Sequence, residues 1–440
     1  MKISLSCILC LLSVFAFLFP LNQTVANADS ILYGDVNSDN IVSLKDATDI
    51  QKYNVGLLTL SDGQKTCGDV NADGSVTLKD ATMIQKYLAE IISSFPAQTP
   101  VHSDSYWQFR CVGTMNITRD QVSNTSVTDT QQGGAYWNNI NTAINYAKAA
   151  NANYAEIALM FDQKSTPQEL IPYFSVVPTL ARQSGMNVYY RMTPPQNMQG
   201  ELINSTGTEF TQACQNYFAY LKQFMTGMGT QYIQNGDIFS TWAEGDCQFT
   251  TALGWTDGTA KYKQYVQQMG SLIQAWKQQS GIKFYYTESV CGGEARIRDQ
   301  FDAETCKYID FISWDNYVGI GGGQQESLSR LTAEANDMVS QIQKYSVLYN
   351  TKIALGEWST HWDTAKTRDM QAQYINTLAT SLSTISSKYF VGMEYFDFAL
   401  PQIVINYNSA TTYYACPVLD KGGTYVGYDA LKNVFQGHMN

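Results

Sequence analysis

Two short segments carry acidic side chains where acid–base chemistry would want them. One is Ser240-Thr-Trp-Ala-Glu244-Gly-Asp246, the other Leu355-Gly-Glu357-Trp-Ser-Thr-His361-Trp362. Each closes an apolar run that reads as a strand, so Glu244 and Glu357 stand at strand ends. Two carboxyls in different surroundings can divide the work, one holding a proton while the other stays charged. Strand alternation puts Ser240, Trp242 and Glu244 on one face, and Ile353, Leu355 and Glu357 on one face. Asp246, Glu288, Asp315 and Glu394 also lie near strand ends. Asp315 and Glu394 read as salt-bridge partners, and Asp246 as a substrate contact or an alternative acid. Histidine is scarce: His102, His361 and His438 are all there are. With only His361 near a strand end and no G-x-S-x-G elbow, a Ser-His-Asp triad is disfavoured, as is a catalytic zinc site.

A second pattern is a duplication. Gly34-Asp-Val-Asn-Ser-Asp-Asn-Ile-Val-Ser-Leu-Lys-Asp-Ala-Thr returns 34 residues later as Gly68-Asp-Val-Asn-Ala-Asp-Gly-Ser-Val-Thr-Leu-Lys-Asp-Ala-Thr. Counted from Asp35, side-chain oxygens fall at loop positions 1, 3, 5, 9 and 12: Asp35, Asn37, Asp39, Ser43 and Asp46. The second copy offers Asp69, Asn71, Asp73, Thr77 and Asp80, and the carbonyls of Ile41 and Ser75 occupy position 7. Hard oxygen ligands at this spacing suit Ca²⁺ better than Mg²⁺, so two structural calcium ions are expected and no catalytic cofactor. Asn40 stands where such loops usually carry Gly, a substitution the left-handed turn tolerates.

The elements that must position these groups alternate in period. Eight apolar runs read as strands: Trp107–Met115, Ala155–Phe161, Val188–Met192, Ile238–Ala243, Phe284–Thr287, Phe311–Trp314, Ile353–Gly356 and Val391–Phe396. Amphipathic stretches separate them, clearest at Trp137–Ala150, Phe210–Met225, Lys261–Gln279, Leu328–Lys344 and Ala372–Ser386. Eight strand–helix units over roughly 335 residues imply an α/β fold of the (β/α)₈ TIM-barrel type, with its chemistry at the C-terminal strand ends. The segments Thr118–Ala135 and Thr193–Thr206 read as long loops beside that mouth. The double calcium loop makes a small all-α module ahead of the barrel. The expected division is a leader at 1–28, the calcium module at 29–94, a linker at 95–105 and the barrel at 106–440.

The leader follows from Lys2, the apolar run Ile3–Leu21 and Ala26-Asn27-Ala28, which together read as a secretory signal peptide. No later stretch approaches the ~20 apolar residues of a membrane span. A net charge of −11 disfavours nucleic acid and anionic membranes as partners. Low charge (15%) with many aromatics (13%, 29 of them Tyr) suits a neutral polar ligand such as carbohydrate. Nine cysteines, two of them in the leader, are spaced widely and form neither a zinc motif nor a disulfide framework.

Residues 33–92 resemble a type I dockerin, which carries Asp at loop position 12 and a single helix after each loop. The resemblance implies a secreted, extracellular, cellulosome-associated protein whose partner is a cohesin module of a scaffoldin or cell-surface protein. It places the cohesin contacts at Leu44, Lys45, Leu78 and Lys79, with docking open to two orientations. The barrel resembles the clan of retaining glycosidases with the acid/base on strand four and the nucleophile on strand seven. That resemblance implies a glycoside hydrolase, with Glu357 as nucleophile, Glu244 as acid/base and Tyr317 bonded to Glu357. Trp242, Asp246, Trp314, Tyr317, Trp358, His361, Trp362 and Tyr395 become candidate substrate contacts. Plant cell-wall polysaccharide is the implied substrate, hemicellulose such as mannan or xylan ahead of cellulose. Ala243 departs from the clan, which has Asn before its acid/base Glu. This keeps a second reading open: a non-catalytic carbohydrate-binding barrel delivered by the dockerin.

Overall fold

The computed structural model describes residues 32–39, 41–71, 74–89, 92, 95, 106–113, 126–160, 167–227, 229, 233–321, 324–360, 365–396, 419–420, 423–424 and 426–439. The chain divides into two compact units, residues 1–101 and 102–440. The leader lies outside the described residues. Among these residues, no helix is long and apolar enough to cross a membrane.

In the first unit, α1 (Leu44–Asn54), α2 (Asp62–Gly68) and α3 (Leu78–Leu88) follow one another. Ser43 caps α1 and Thr77 caps α3, each completing a capping box with Asp46 or Asp80. Loop positions 9 and 12 are therefore also the helix N-cap and third residue, so one S/T-x-x-D stretch shapes both loop and helix. Asp46 Oδ1 accepts the N–H of Val36 at 2.8 Å and of Asn37 at 3.0 Å; its Oδ2 accepts the Ser43 N–H at 2.8 Å. Asp80 repeats the arrangement with Asn71 at 3.1 Å and Thr77 at 2.8 Å. The core follows the duplication: Val36, Ala47 and Ile50 are matched by Val70, Ala81 and Ile84, with Leu60 and Phe95 completing it. Phe95 corrects the expected boundary. It is fully buried, packs on Tyr87 at 4.6 Å and covers Gly34, whose Cβ would lie 2.6 Å from the ring. The module therefore extends through residue 95 instead of yielding to a linker there.

The second unit is a closed barrel of eight parallel strands: β1 (Phe109–Val112), β2 (Tyr154–Met160), β3 (Asn187–Thr193), β4 (Ile238–Ser240), β5 (Tyr285–Cys291), β6 (Phe311–Asp315), β7 (Lys352–Trp358) and β8 (Phe390–Tyr395). Neighbours in sequence are neighbours in the sheet, and β8 closes on β1. The helices around it include α4 (Ala135–Ala149), α5 (Pro167–Phe174), α6 (Val176–Gln183), α7 (Gln196–Asn204), α8 (Gly207–Gly227), α9 (Gly245–Leu253), α10 (Trp255–Ser280), α11 (Glu294–Gln300), α12 (Leu328–Tyr349), α13 (Ala365–Leu382) and α14 (Val426–Gly437). The expected loop at 193–206 thus contains α7; of the expected loop at 118–135, residues 118–125 lie outside the described residues. One large apolar layer lies between strands and helices. A smaller cluster fills the barrel floor, made of Phe109, Cys111, Tyr154, Tyr189, Ile238, Phe311, Ala354 and Val391. Trp107 near the start of this unit stacks on His438 near its end, ring centroids 3.7 Å apart, which gives that histidine a packing role.

Strict alternation fails at three places, two beside the barrel mouth and one at the level of the floor. β4 ends at Ser240, so Trp242 turns into the outer apolar layer instead of sharing a face with Glu244. β7 shifts register against β6, pairing Leu355 with Trp314 and Glu357 with Asp315. Gly356 is the extra residue of that bulge. Its missing side chain leaves room for Ser313 Oγ and Asp315 Oδ1, and Leu355 joins the outer layer instead of the face that carries Glu357. β8 bulges likewise at Gly392, whose φ of 134° suits glycine alone and whose Cβ would overlap the Phe109 carbonyl. Gly392→Ala is expected to destabilise the barrel by roughly 2–3 kcal/mol in denaturant unfolding; an unchanged midpoint would contradict this packing.

Candidate active site

Above the aromatic floor the barrel interior turns polar. Alternation carries Tyr154 to Glu156 on β2, Tyr189 to Arg191 on β3, and Phe311 to Ser313 and Asp315 on β6. Arg191, 1% exposed, is the centre of this layer. Its guanidinium is paired with Glu357 Oε1, with Asp315 Oδ2 at 3.0 Å and with Glu156 Oε1 at 3.4 Å. Tyr317 donates its hydroxyl to the other oxygen, Glu357 Oε2, at 2.9 Å. Burial and the neighbouring Glu357 push the Asp315 carboxyl well above its ordinary range. Burial and Glu156 do the same to Glu394, neither of whose oxygens is hydrogen-bonded among the described residues. Asp315 is a salt-bridge partner as expected; Glu394 is instead a buried acid with no ion pair among the described residues.

Glu244 reaches the same place by a different route. It follows β4 in the left-handed region, with φ of 51°, and is the N-cap of α9. A non-glycine residue there is strained, a cost that tends to be tolerated at functional sites. The surroundings hold the turn: Ala243 N–H donates to the Met192 carbonyl at 2.8 Å, and Glu244 N–H to Ser289 Oγ at 2.7 Å. Gly245 closes it, since a Cβ would meet the Trp242 ring at 2.9 Å. One carboxyl oxygen each from Glu244, Asp315 and Glu357 lie within 4.8 Å of one another. Oxygens this close could hold a cation, and Arg191 already supplies positive charge to two of the three. Burial, then the charge of Glu357, raise the Glu244 carboxyl above its ordinary value. The arrangement sets an acid whose pKa is raised against a carboxyl paired with a guanidinium.

Several expected contacts are not at the mouth. Trp242 is buried against Phe249 and Tyr265, at 5.1 and 5.6 Å. Trp314 is buried and donates its ring N–H to the Gly292 carbonyl at 2.6 Å. Trp358 is buried and donates to the Val318 carbonyl at 2.9 Å. Tyr395 is buried with its hydroxyl against Gln371 at 3.1 Å. A ring closed on all sides cannot stack on a sugar; these four belong to the apolar layer. Asp246 is buried and paired with Arg296 at 3.0 Å, so it is not a free substrate ligand. Burial outweighs that arginine and raises Asp246 to about 7. His361 and Trp362 lie outside the described residues. Arg191 is the residue that sequence reasoning missed. Its signal was a lone charge inside the apolar run Val188–Met192.

Leu44, Lys45, Leu78 and Lys79 are exposed in the first turns of α1 and α3. Leu44 and Leu78 are 62% and 57% exposed, equivalent apolar side chains left outside the core by both copies. Behind them, Asp46 and Asp80 are fully buried carboxylates whose described contacts are all N–H and hydroxyl donors. Buried anions of this kind call for a cation, and the oxygen-only donor set fits calcium. Asp73 lies outside the described residues.

Residues 33–91 match the model of the dockerin type I domain. This module is a type I dockerin. Comparison with curated protein sequences gives no match. The barrel matches solved structures at low identity. A GH5_18 protein from Streptomyces cattleya in complex with GlcNAc aligns at 11% identity and TM-score 0.56, covering 76% of this chain and 80% of that one. A GH5_18 protein from Bifidobacterium longum subsp. infantis aligns at 8% identity and TM-score 0.53, covering 73% and 78%. A β-glucosidase from Exiguobacterium marinum aligns at 10% identity and TM-score 0.51, covering 77% and 97%. At these identities the likeness is one of fold: the dockerin is followed by a (β/α)₈ barrel whose structural neighbours are glycoside hydrolases.

Glu288 holds the end of β4 from the outer side of β5. It accepts the N–H groups of Thr241 at 3.1 Å and Trp242 at 3.2 Å, and the Tyr286 hydroxyl at 2.6 Å. Burial raises it from 4.5 to about 7. An acid that binds its proton more tightly when folded contributes stability that is complete below its unfolded pKa and is lost as pH rises through its folded one. Stability should therefore fall between about pH 4.5 and about pH 7 through Glu288. Glu288→Gln should flatten that slope in denaturant titrations across the range, while lowering stability overall by one hydrogen bond. An unchanged slope would contradict the assignment.

Proposed function

We propose that the barrel is a retaining glycoside hydrolase that cleaves plant cell-wall polysaccharide, exported by its leader and anchored through its dockerin to a cohesin. The observation that carries this reading is the Glu244–Glu357 pair, with carboxyl oxygens within 4.8 Å. Retaining chemistry asks for carboxyls about 5–5.5 Å apart, whereas inversion needs roughly 6.5–9.5 Å to admit water between acid and base. Arg191 and Tyr317 orient Glu357 by one oxygen each, so that its carboxylate can attack the anomeric carbon. Glu244 transfers its proton to the leaving oxygen as that bond breaks, and a glycosyl-enzyme ester forms on Glu357. The Glu244 carboxylate then takes a proton from water, whose oxygen attacks the anomeric carbon and frees Glu357. Hemicellulose such as mannan or xylan is the favoured substrate. The low charge and many aromatics of the chain support a neutral ligand.

Ala243 favours the second reading, a barrel that binds carbohydrate without cleaving it. Its methyl group cannot hold a sugar hydroxyl as the clan's Asn does. Reducing-sugar release from a panel of plant polysaccharides separates the two. The parent should release sugar, and Glu357→Gln and Glu244→Gln should each lose on the order of 10²-fold or more, the size of one acid–base or nucleophile role. Binding without release by a folded parent would establish the non-catalytic reading.

In the dockerin, Asp35, Asn37, Asp39, Ser43, Asp46 and the Ile41 carbonyl would hold one calcium. Asp69, Asn71, Asp73, Thr77, Asp80 and the Ser75 carbonyl would hold a second. Calcium there supplies charge neutralisation that a module of this size needs to stay folded. Chelation should abolish binding to a matched type I cohesin and remove a helical unfolding transition, leaving the barrel transition in place. Asp46→Ala and Asp80→Ala should each lower calcium affinity in calorimetry. Cohesin binding that survives chelation would contradict the calcium role.

A further inference from the structure

Trp255 is 42% exposed, the one exposed tryptophan among the described residues, whereas Trp242, Trp314 and Trp358 turn inward. The chain path fixes where it stands. Glu244 turns the chain at the end of β4 into α9, and Gly254, with φ of 81°, ends α9 and starts α10. α10 must return the chain to the start of β5, so its first residue, Trp255, lies at the mouth end of the barrel. Gly258 lets α10 press on α9, since a Cβ there would meet the Phe249 carbonyl at 2.6 Å. α11 follows the end of β5 and brings Arg296 alongside. Its guanidinium donates to Asp246 Oδ2 at 3.0 Å and to Thr250 Oγ1 at 2.9 Å, and lies over the Trp255 ring, 4.8 Å from its centroid. Contacts therefore run unbroken from Asp246, two residues after Glu244, to an exposed indole.

Single exposed aromatics are common and need no explanation. Trp255 differs because it is held. Its ring N–H donates to Asp299 Oδ2 at 3.1 Å, and Arg298 grips Asp299 at 2.8 and 2.9 Å. A ring fixed at its edge, with a guanidinium over one face, loses little freedom when a ligand arrives. Arg296 is 21% exposed, and its Nε and Nη2 have no hydrogen-bond partner among the described residues. The same pair thus presents an apolar face and free donors side by side. Because Arg296 is already paired with Asp246, the ligand needs no charge of its own.

We propose that Trp255 and Arg296 form a subsite for a neutral pyranose unit of the polysaccharide, on the leaving-group side of the bond that is cut. The indole takes the apolar C–H face of the sugar, and the guanidinium donates to a hydroxyl. Glu244 gives its proton to the leaving oxygen, and Trp255 and Arg296 stand on the β4–β5 side of the mouth, whereas Glu357 is on β7. That placement rests on Glu244 being the acid of a glycosidase; the subsite itself needs only that the barrel bind carbohydrate.

The test uses the full calcium-loaded chain with xylohexaose and mannohexaose. Calorimetry in the Glu357→Gln background, where turnover is slow, should show Trp255→Ala weakening the hexaose that binds by roughly tenfold or more, the loss of one anchoring aromatic. Trp255→Phe, which keeps a ring, should recover most of that loss. The hexaose should also shift the tryptophan emission of the Glu357→Gln chain, and shift it far less once Trp255→Phe is added. In steady-state kinetics, Trp255→Ala should raise KM more than it lowers kcat. The rise should be larger for the hexaose than for the nitrophenyl bioside of the same sugar, whose leaving group carries no sugar. Unchanged hexaose affinity in Trp255→Ala would overturn the subsite, as would hexaoses that bind neither chain. Equal rises in KM for hexaose and bioside would overturn its placement on the leaving side. Binding that Trp255→Ala weakens, in a parent that releases no sugar, would sustain the subsite and count against the glycosidase reading alone.

Discussion

A guanidinium shut inside a barrel must be neutralised where it stands, and Arg191 is neutralised by acids from three other strands. Glu156, Asp315 and Glu357 converge on it from β2, β6 and β7. Removing one partner of such a buried pair typically costs about 3–5 kcal/mol, because the remaining charge is left uncompensated. The ion pair therefore does more than orient one carboxylate. It ties four staves of the barrel together at the level where the mouth begins, and it concentrates acid groups that cannot all ionise. Burial and Glu357 hold the Asp315 carboxyl above its ordinary range, burial and Glu156 do the same to Glu394, and Glu357 meets the guanidinium and the Tyr317 hydroxyl together.

Glu244 is set apart from this network by the backbone. A strand that stops at Ser240, a left-handed residue and a helix that starts at once lift its carboxyl to the rim, partly exposed yet raised in pKa by burial and by Glu357. Two acids of one type thus stand in different settings, one inside a cationic clamp and one beyond it. The dockerin handles a similar problem differently. Among the described residues its buried Asp46 and Asp80 meet only N–H and hydroxyl donors, and a cation held by the duplicated oxygen ligands would neutralise them.

Much of this was legible in the residues. The calcium loops could be read because ligand spacing, helix cap and repeat all fall in a dozen consecutive positions, and the core pairs Val36/Val70 and Ile50/Ile84 follow the same offset. The eight strands were legible because each is a short apolar run between amphipathic helices. Glu244 and Glu357 were singled out by their strand-end positions, and their carboxyls do lie together, but the alternation behind that reading fails. Alternation predicts one face for Leu355 and Glu357, and the Gly356 bulge puts them on opposite sides. The same pattern made Trp242 a mouth residue, whereas the short β4 sends it into the apolar layer. A bulge adds a single residue and leaves no periodic trace, so register at the mouth could not be read from period two. Arg191 was overlooked because its partners are distant in sequence and only closure of the barrel brings them together. Trp314, Trp358 and Tyr395 were misjudged because an aromatic side chain near a strand end looks alike whether it lines a cleft or fills a core.

The stereochemistry of the first product tests the account most directly. Proton NMR can follow an oligosaccharide of the responsive polysaccharide from the moment of mixing, reading the anomeric configuration before mutarotation. A pair of carboxyls as close as Glu244 and Glu357 predicts that the product appears first with the anomeric configuration of the substrate. First appearance of the opposite anomer would mean that water attacks directly, and that these two residues are not the acid and nucleophile described here.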